Sequence, residues 1–191
     1  KDVQLLEEMR AVRIRMAERH PDLAADLTAL RFASLQWHAE RAGYSPAIAQ
    51  TAVGVFLEER NRVTPFDDVP EVLKRLAARY PLIALTNGNA DVDRTPLAGV
   101  FDLAVTAADV GVQKPDPAMF RAACRRVGVS PDRLVHIGDD PVRDIQAARE
   151  FGARTVWVNR EGAPWPGGIP EAHHELSSLR GLPDLFPGGG R

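Results

Sequence analysis

The chain has 191 residues, enough for one ordinary domain with a sizeable core or for a core with a smaller appendage, and it balances 24 Lys+Arg against 26 Asp+Glu for a net charge of −2. That balance, with no long run of one sign, excludes the electrostatic signatures of nucleic-acid partners and anionic membrane surfaces. The longest apolar runs, such as Leu82-Ile-Ala-Leu85, fall far short of the roughly 20 residues a spanning helix needs, and the lone Cys124 rules out an intrachain disulfide, so a soluble protein of a reducing, cytoplasmic compartment is expected.

Residues 1 to 66 read as helices throughout. Leu5, Leu6, Met9, Val12 and Met16 recur at spacings of three and four until Pro21 and Asp22 interrupt them. A second helix is predicted from Leu23 to Ala42, stopped by Gly43, and a third from Pro46 to Arg60. The composition changes at Val63-Thr-Pro-Phe-Asp-Asp-Val-Pro70, where the paired aspartates read as the N-cap of a helix over Glu71–Arg79. The expected division is a helical domain over 1–66 and an α/β core over 67–191.

Strands and helices then alternate. A strand is predicted over Pro81–Thr86, a turn at Asn87-Gly88-Asn89, a short helix around Arg94–Val100 and a strand over Leu103–Thr106. A helix opens at Asp116-Pro117 and ends at Gly128, and a strand runs over Leu134–Gly138. Pro141 starts a helix carrying Val142, Ile145, Ala148 and Phe151, Gly152 closes it, and Arg154–Val158 forms a further strand. This alternation argues for a parallel sheet with helices on both faces. Pro164–Pro170 reads as a loop exposing Trp165, and the tail Pro187–Arg191 as disordered.

In an open α/β sheet, ligands bind beyond the C-terminal ends of the strands. Three stretches fall there. Asp139, Asp140 and Asp144 cluster at a strand-to-helix turn, and like charges at 4 Å repel by about 1 kcal/mol in water and about 4 kcal/mol near a protein surface. A hard divalent cation such as magnesium would relieve that repulsion. The bland alternative makes Asp140 a helix cap and Asp144 a partner of the helix dipole. Thr86, Asn87, Gly88 and Asn89 bring a hydroxyl, amides and backbone N–H groups together, which suits a phosphate or oxyanion, or equally an ordinary Asn/Gly turn. Lys114, ahead of Pro115-Asp116-Pro117, is placed either to neutralise a phosphoryl group or simply to be solvated. His136, inside an apolar strand, reads as a core histidine.

In their order, a strand ending Thr86-Asn87-Gly88, then Lys114-Pro-Asp-Pro117, then Gly138-Asp-Asp140 with Asp144 five residues after Asp139, these stretches resemble the haloacid dehalogenase superfamily of phosphohydrolases over residues 66 to 160. The helical segment resembles that superfamily's cap. Arg31-Phe32 through Gly43, Asn61-Arg62-Val63 and Thr86–Asn89 are most similar to its flavin mononucleotide phosphatase branch. The resemblance implies a three-layer, Rossmann-like α/β core with a helical cap, and magnesium-dependent hydrolysis of a small phosphorylated metabolite through an aspartyl-phosphate. It implies that Thr86 and the Asn87-Gly88 backbone bind the phosphoryl group and that Lys114 steadies the nucleophile. Asp139 would be a direct magnesium ligand, Asp140 a direct or water-mediated one, and Asp144 an orienting residue behind them.

The superfamily's nucleophilic aspartate lies in an Asp-x-Asp motif on a strand ahead of the cap, and this sequence has no such strand. Asp22 and Asp26 sit in helical surroundings, and Phe66-Asp67-Asp68 precedes a helix with no apolar run before it. The expectation is therefore that this chain alone lacks phosphatase activity. An N-terminal extension is expected to supply the strand, between those ending at Thr86 and Gly138; without it, backbone donors and apolar faces open to water. Two rivals are a metal-free carbon–halogen hydrolase of the same fold, which has less use for the acids, and an inactive phosphoryl-ligand-binding member. Arg31, Trp37, His38 and Arg41 are the cap residues placed to meet a substrate, with helical periodicity assigning at least half of them to core or solvent. Arg160 and Trp165 are the loop candidates. The sequence carries no signal for an oligomeric state.

Overall fold

Apolar residues at helical spacing build the first layer. The computed structural model describes residues 2–186, with side chains from Glu7 on, so the tail Pro187–Arg191 and the side chains of Leu5 and Leu6 lie outside the described residues. Helices α1 (Asp2–Arg19), α2 (Leu27–Arg41) and α3 (Ile48–Asn61) follow one another, and Val12 and Met16 of α1 bury themselves against Leu30 and Trp37 of α2. α2 starts later than Leu23 because Pro21–Leu23 forms a separate 3-10 turn, and the Asp26 carboxylate accepts hydrogen bonds from the N–H groups of Thr28 and Ala29, both at 2.9 Å.

Helix α4 (Val69–Ala77) opens the core. Asp68 stands at its N-cap position but makes no side-chain cap bond; its carboxylate binds the Arg160 guanidinium at 3.0 and 3.1 Å and the Leu179 N–H at 2.6 Å. The predicted cap is instead a tertiary tie. Strands β1 (Ile83–Thr86) and β2 (Leu103–Thr106) pair in parallel, Thr86 opposite Thr106. Between them the predicted Arg94–Val100 helix is only a 3-10 turn over Val92–Arg94, since Pro96 cannot donate to a continuing helix. Thr106 and Asp109 form a capping box on the short α5 (Ala107–Val110), followed by α6 (Pro117–Val127), with Asp116 as N-cap and Gly128 in the left-handed conformation at its end.

Strands β3 (Val135–Gly138), β4 (Arg154–Val158) and the unanticipated β5 (His174–Leu176) form a second parallel group in that order. The segment after β3 is a π-helix over Pro141–Gln146 that becomes α7 (Ala147–Phe151). A final turn of helix, α8 (Leu182–Leu185), packs with Val72 and Leu76 of α4 on Val156, while Phe120 of α6 and Ala147 and Ala148 of α7 cover the opposite face. Helices on both faces of parallel strands make the three-layer α/β arrangement. Completely burying a side chain such as Phe120 contributes about 1.5–3 kcal/mol.

The sheet is in two parts: β1 and β3 share no ladder, and Ile137 of β3 is 37% exposed. The α1–α3 layer sits on the loops that leave the C-terminal ends of β1 and β2. Asn89 Nδ2 donates to Thr28 Oγ1 at 3.0 Å, Gln113 Nε2 to the Ala24 carbonyl at 2.8 Å, and the Asp91 N–H to Asn61 Oδ1 at 2.9 Å. Ala25 is buried with Ala107 and Met119 at the same junction. Among the described residues no helix is long and apolar enough to cross a membrane.

Candidate active site

At the end of β1 the Thr86 hydroxyl accepts the Gly88 N–H at 2.8 Å, so its own proton is free to point outward. Asn87 clamps the next loop: its Oδ1 accepts the Lys114 N–H at 2.7 Å and its Nδ2 donates to the Lys114 carbonyl at 2.9 Å. This two-point clamp fixes the backbone of Lys114, whose peptide bond to Pro115 is cis. The ammonium then reaches back to the Leu85 carbonyl at 3.0 Å and to Asp144 Oδ1 at 2.7 Å. The structure thus brings Thr86, Asn87, Gly88, Lys114 and Asp144 together.

Asp144 lies beneath them, 5% exposed. His136 Nε2 is 3.0 Å from the same Oδ1, and the Asp140 N–H donates to Oδ2 at 3.1 Å. An ionised carboxylate only accepts, so Nε2 carries the proton in this contact. Burial pushes the Asp144 carboxyl up, but the His136 hydrogen bond and the Lys114 charge outweigh it and hold the group well below the ordinary carboxylate range. His136 is in turn packed edge-on against Phe120, centroids 5.1 Å apart.

Two backbone features let Asp144 reach this place. In the wide π turn the N–H groups of Asp144 and Ile145 both bond the Asp140 carbonyl, at 3.0 and 3.2 Å, which turns Asp144 back under β3. Gly138 gives the room, since a Cβ there would overlap Asp144 Cβ and Cγ.

The three acids therefore hold three different positions rather than forming one cluster. Asp140 Oδ1 caps the helix, accepting the N–H groups of Val142 and Arg143 at 2.9 and 2.8 Å. Asp144 is locked under Lys114. Asp139 is exposed, and its carboxylate has no partner among the described residues; its backbone carbonyl accepts the Trp157 indole N–H at 2.9 Å. Among the described residues no three His, Cys, Asp or Glu side chains converge as a ready cage. This donor set suits a cation that takes one or two carboxylates and keeps several waters, as magnesium does.

The loop candidates have structural partners instead. Arg160 pairs with Asp68 and lies 4.1 Å from the Phe66 ring centroid, and Trp165 packs edge-on against Trp157 and donates to the Ile169 carbonyl at 3.2 Å. Trp37 belongs to the helical layer's own core, with Arg41 over its ring at 5.4 Å, and His38 is its edge-on neighbour. Sequence reasoning missed Arg60, whose Nη2 lies 3.6 Å from where a Cβ on Gly88 would be, and the roles of His136 and Trp157. No local pattern marks these, because each meets its partner across the fold.

The sequence and the fold are similar to those of known hydrolases. The family model for haloacid dehalogenase-like hydrolases matches residues 3–152. A phosphoserine phosphatase of Thermus thermophilus is 36% identical over 143 residues, 72% of this chain and 56% of that protein. The Escherichia coli 5-amino-6-(5-phospho-D-ribitylamino)uracil phosphatase YigB is 29% identical over 188 residues, 94% of this chain and 79% of that protein. The chain thus spans little more than half the length of the first relative. A solved structure of a 2-haloacid dehalogenase from Pseudomonas syringae pv. Tomato superposes with a TM-score of 0.87 at 37% identity, over 95% of this chain and 80% of that one. With the family match covering most of its length and a parallel three-layer core, the chain belongs to the haloacid dehalogenase-like hydrolases.

Proposed function

We propose that the protein is a magnesium-dependent phosphohydrolase for a small phosphorylated metabolite. The observation that carries this is the Lys114 ammonium, held 3.0 Å from the Leu85 carbonyl and 2.7 Å from Asp144 directly behind the Thr86-Asn87-Gly88 turn. A fixed cation beside a free hydroxyl proton and backbone N–H groups is complementary to the charge on a transferring phosphoryl group. Thr86 would donate to a phosphoryl oxygen, the Asn87 and Gly88 backbone would orient the group, and Lys114 would neutralise it. Asp144 and His136 hold Lys114 in place. Asp139, with Asp140 beside it, would hold magnesium, which supplies Lewis-acid polarisation of the phosphoryl oxygens.

The nucleophile in this reading is a carboxylate on a strand between β1 and β3. The break in the sheet and the exposure of Ile137 support that placement. The helical layer, tied to the same loops through Thr28, Ala24 and Asn61, would exclude water from the reacting groups. Two relatives named as phosphatases support a phosphate monoester as the substrate.

The likeness to a 2-haloacid dehalogenase at 37% identity favours a second reading, carbon–halogen hydrolysis. The full-length protein incubated with p-nitrophenyl phosphate and with 2-chloropropionate, with and without magnesium, separates the two. Phosphate release that a chelator abolishes, with no chloride, is expected. Chloride release without magnesium would install the second reading, and binding without either product would leave a phosphoryl-ligand-binding protein.

A further inference from the structure

A cavity of about 520 Å³ lies in the helical layer, lined by Arg10 and Arg13 of α1, Arg31 and Ser34 of α2, and a single acid, Glu7. Arg31 is fixed there by stacking, its Cζ 3.4 Å from the Phe56 ring centroid on α3. Its Nε is buried without a hydrogen-bond partner. Among the described residues, none of Arg10, Arg13, Arg31 and Arg60 has a carboxylate within ion-pairing distance. Burial, followed by the charges of Arg13 and Arg60, makes Arg31 a weaker base than usual, so the guanidinium groups feel one another.

The cluster also points toward the site. Thr28, which binds Asn89, and Arg31 are neighbours on one side of α2. Arg60 Nη2 lies 3.6 Å, and Thr86 Oγ1 3.1 Å, from the same Cβ position on Gly88. Guanidinium groups thus extend from the cavity to the turn that faces the phosphoryl group. Arg60 is exposed, Arg13 and Arg31 are partly buried, and the unmet buried Nε of Arg31 beside like charges is a cost that an anion would relieve; the planar guanidinium fork matches a carboxylate or a phosphate.

We infer that Arg13, Arg31 and Arg60 form a second anion subsite, and that the substrate is an organophosphate bearing a further carboxylate or phosphate. This rests on the assignment of Thr86 and Lys114 to the first phosphoryl group. Arg31 is the anchor, Arg13 closes the far wall and Arg60 bridges the two anions.

Binding calorimetry on the full-length protein without magnesium, where turnover is blocked, tests it with two matched pairs. Glycerol 3-phosphate against 3-phosphoglycerate reads a carboxylate; fructose 6-phosphate against fructose 1,6-bisphosphate reads a second phosphate. The doubly anionic member of one pair is expected to bind about tenfold tighter or more, and Arg31→Gln is expected to erase that advantage while changing the other member less than about twofold. Because Arg31 also packs on Phe56, Arg13→Gln serves as a second variant with the same expectation. No preference in either pair, or a preference that survives both substitutions, overturns the subsite. Lys114→Met separates the two levels: Lys114-dependent binding that ignores the second anion removes the subsite alone, whereas binding indifferent to Lys114 sinks the phosphohydrolase reading and takes the subsite with it.

Discussion

Gly138 controls the buried end of the site through contact rather than through backbone conformation. Its φ is not positive, yet a side chain there would occupy the volume of Asp144 Cβ and Cγ. Gly138→Ala therefore forces the carboxylate away from Lys114 and His136. Overpacking of this kind costs about 1–3 kcal/mol, to be read as a lower urea midpoint, with phosphate release falling in parallel. An unchanged midpoint and rate would mean that Asp144 has another place to go. At this scale the sequence was half legible. Thr86, Asn87, Gly88 and Lys114 were readable because each follows a strand or precedes a helix start. Asp140 could be foreseen as a cap because Pro141 follows it. The burial of Asp144 could not be, since Lys114 is 30 residues away and His136 lies eight back on a strand.

At the scale of elements, Asp68 joins α4 to the segments after β4 and β5 through Arg160 and the Leu179 N–H. Burial raises its pKa, but the Arg160 and Leu179 hydrogen bonds outweigh that, leaving the carboxyl below its ordinary value. The unfolded chain accordingly takes up this proton more readily than the folded one. The contribution to stability is complete above the unfolded value of about 4 and is lost as pH falls through the lower folded value. Asp68→Asn should lower the melting temperature at pH 7 and flatten its fall below about pH 4; melting curves of variant and wild type that stay parallel from pH 7 to 2.5 would contradict this. Long periodic segments such as α2 and α6 were legible because a buried stripe repeats over several turns. β5 was not: two of its three residues are exposed, so no alternation marks it. The predicted Arg94–Val100 helix failed for a local reason, Pro96.

Over the whole molecule, the break between β1 and β3, the helical layer over the strand ends and the Lys114–Asp144 pair all meet at one edge. The parallel core was legible from alternation, and the position of the helical layer over the site followed only from the resemblance to a capped family, because it depends on polar contacts such as Gln113 to Ala24 across 89 residues. Of three acids close in sequence, the resemblance puts Asp139 and Asp140 at a metal and Asp144 behind them; chain geometry leaves Asp139 at the surface, uses Asp140 as a helix cap and buries Asp144 beneath Lys114. What the geometry fixes at this edge is the Lys114 cation, held by Asp144 and the Leu85 carbonyl beside the Thr86-Asn87-Gly88 turn. The most direct measurement is the rate of phosphate release from p-nitrophenyl phosphate by full-length wild type and Lys114→Met in magnesium, each first shown to be folded by circular dichroism. Loss of this cation should cut the rate by about 100-fold or more, in line with the removal of a charge-stabilising donor. A folded Lys114→Met protein that keeps a rate within about threefold of wild type would contradict a phosphoryl-transfer role for this centre.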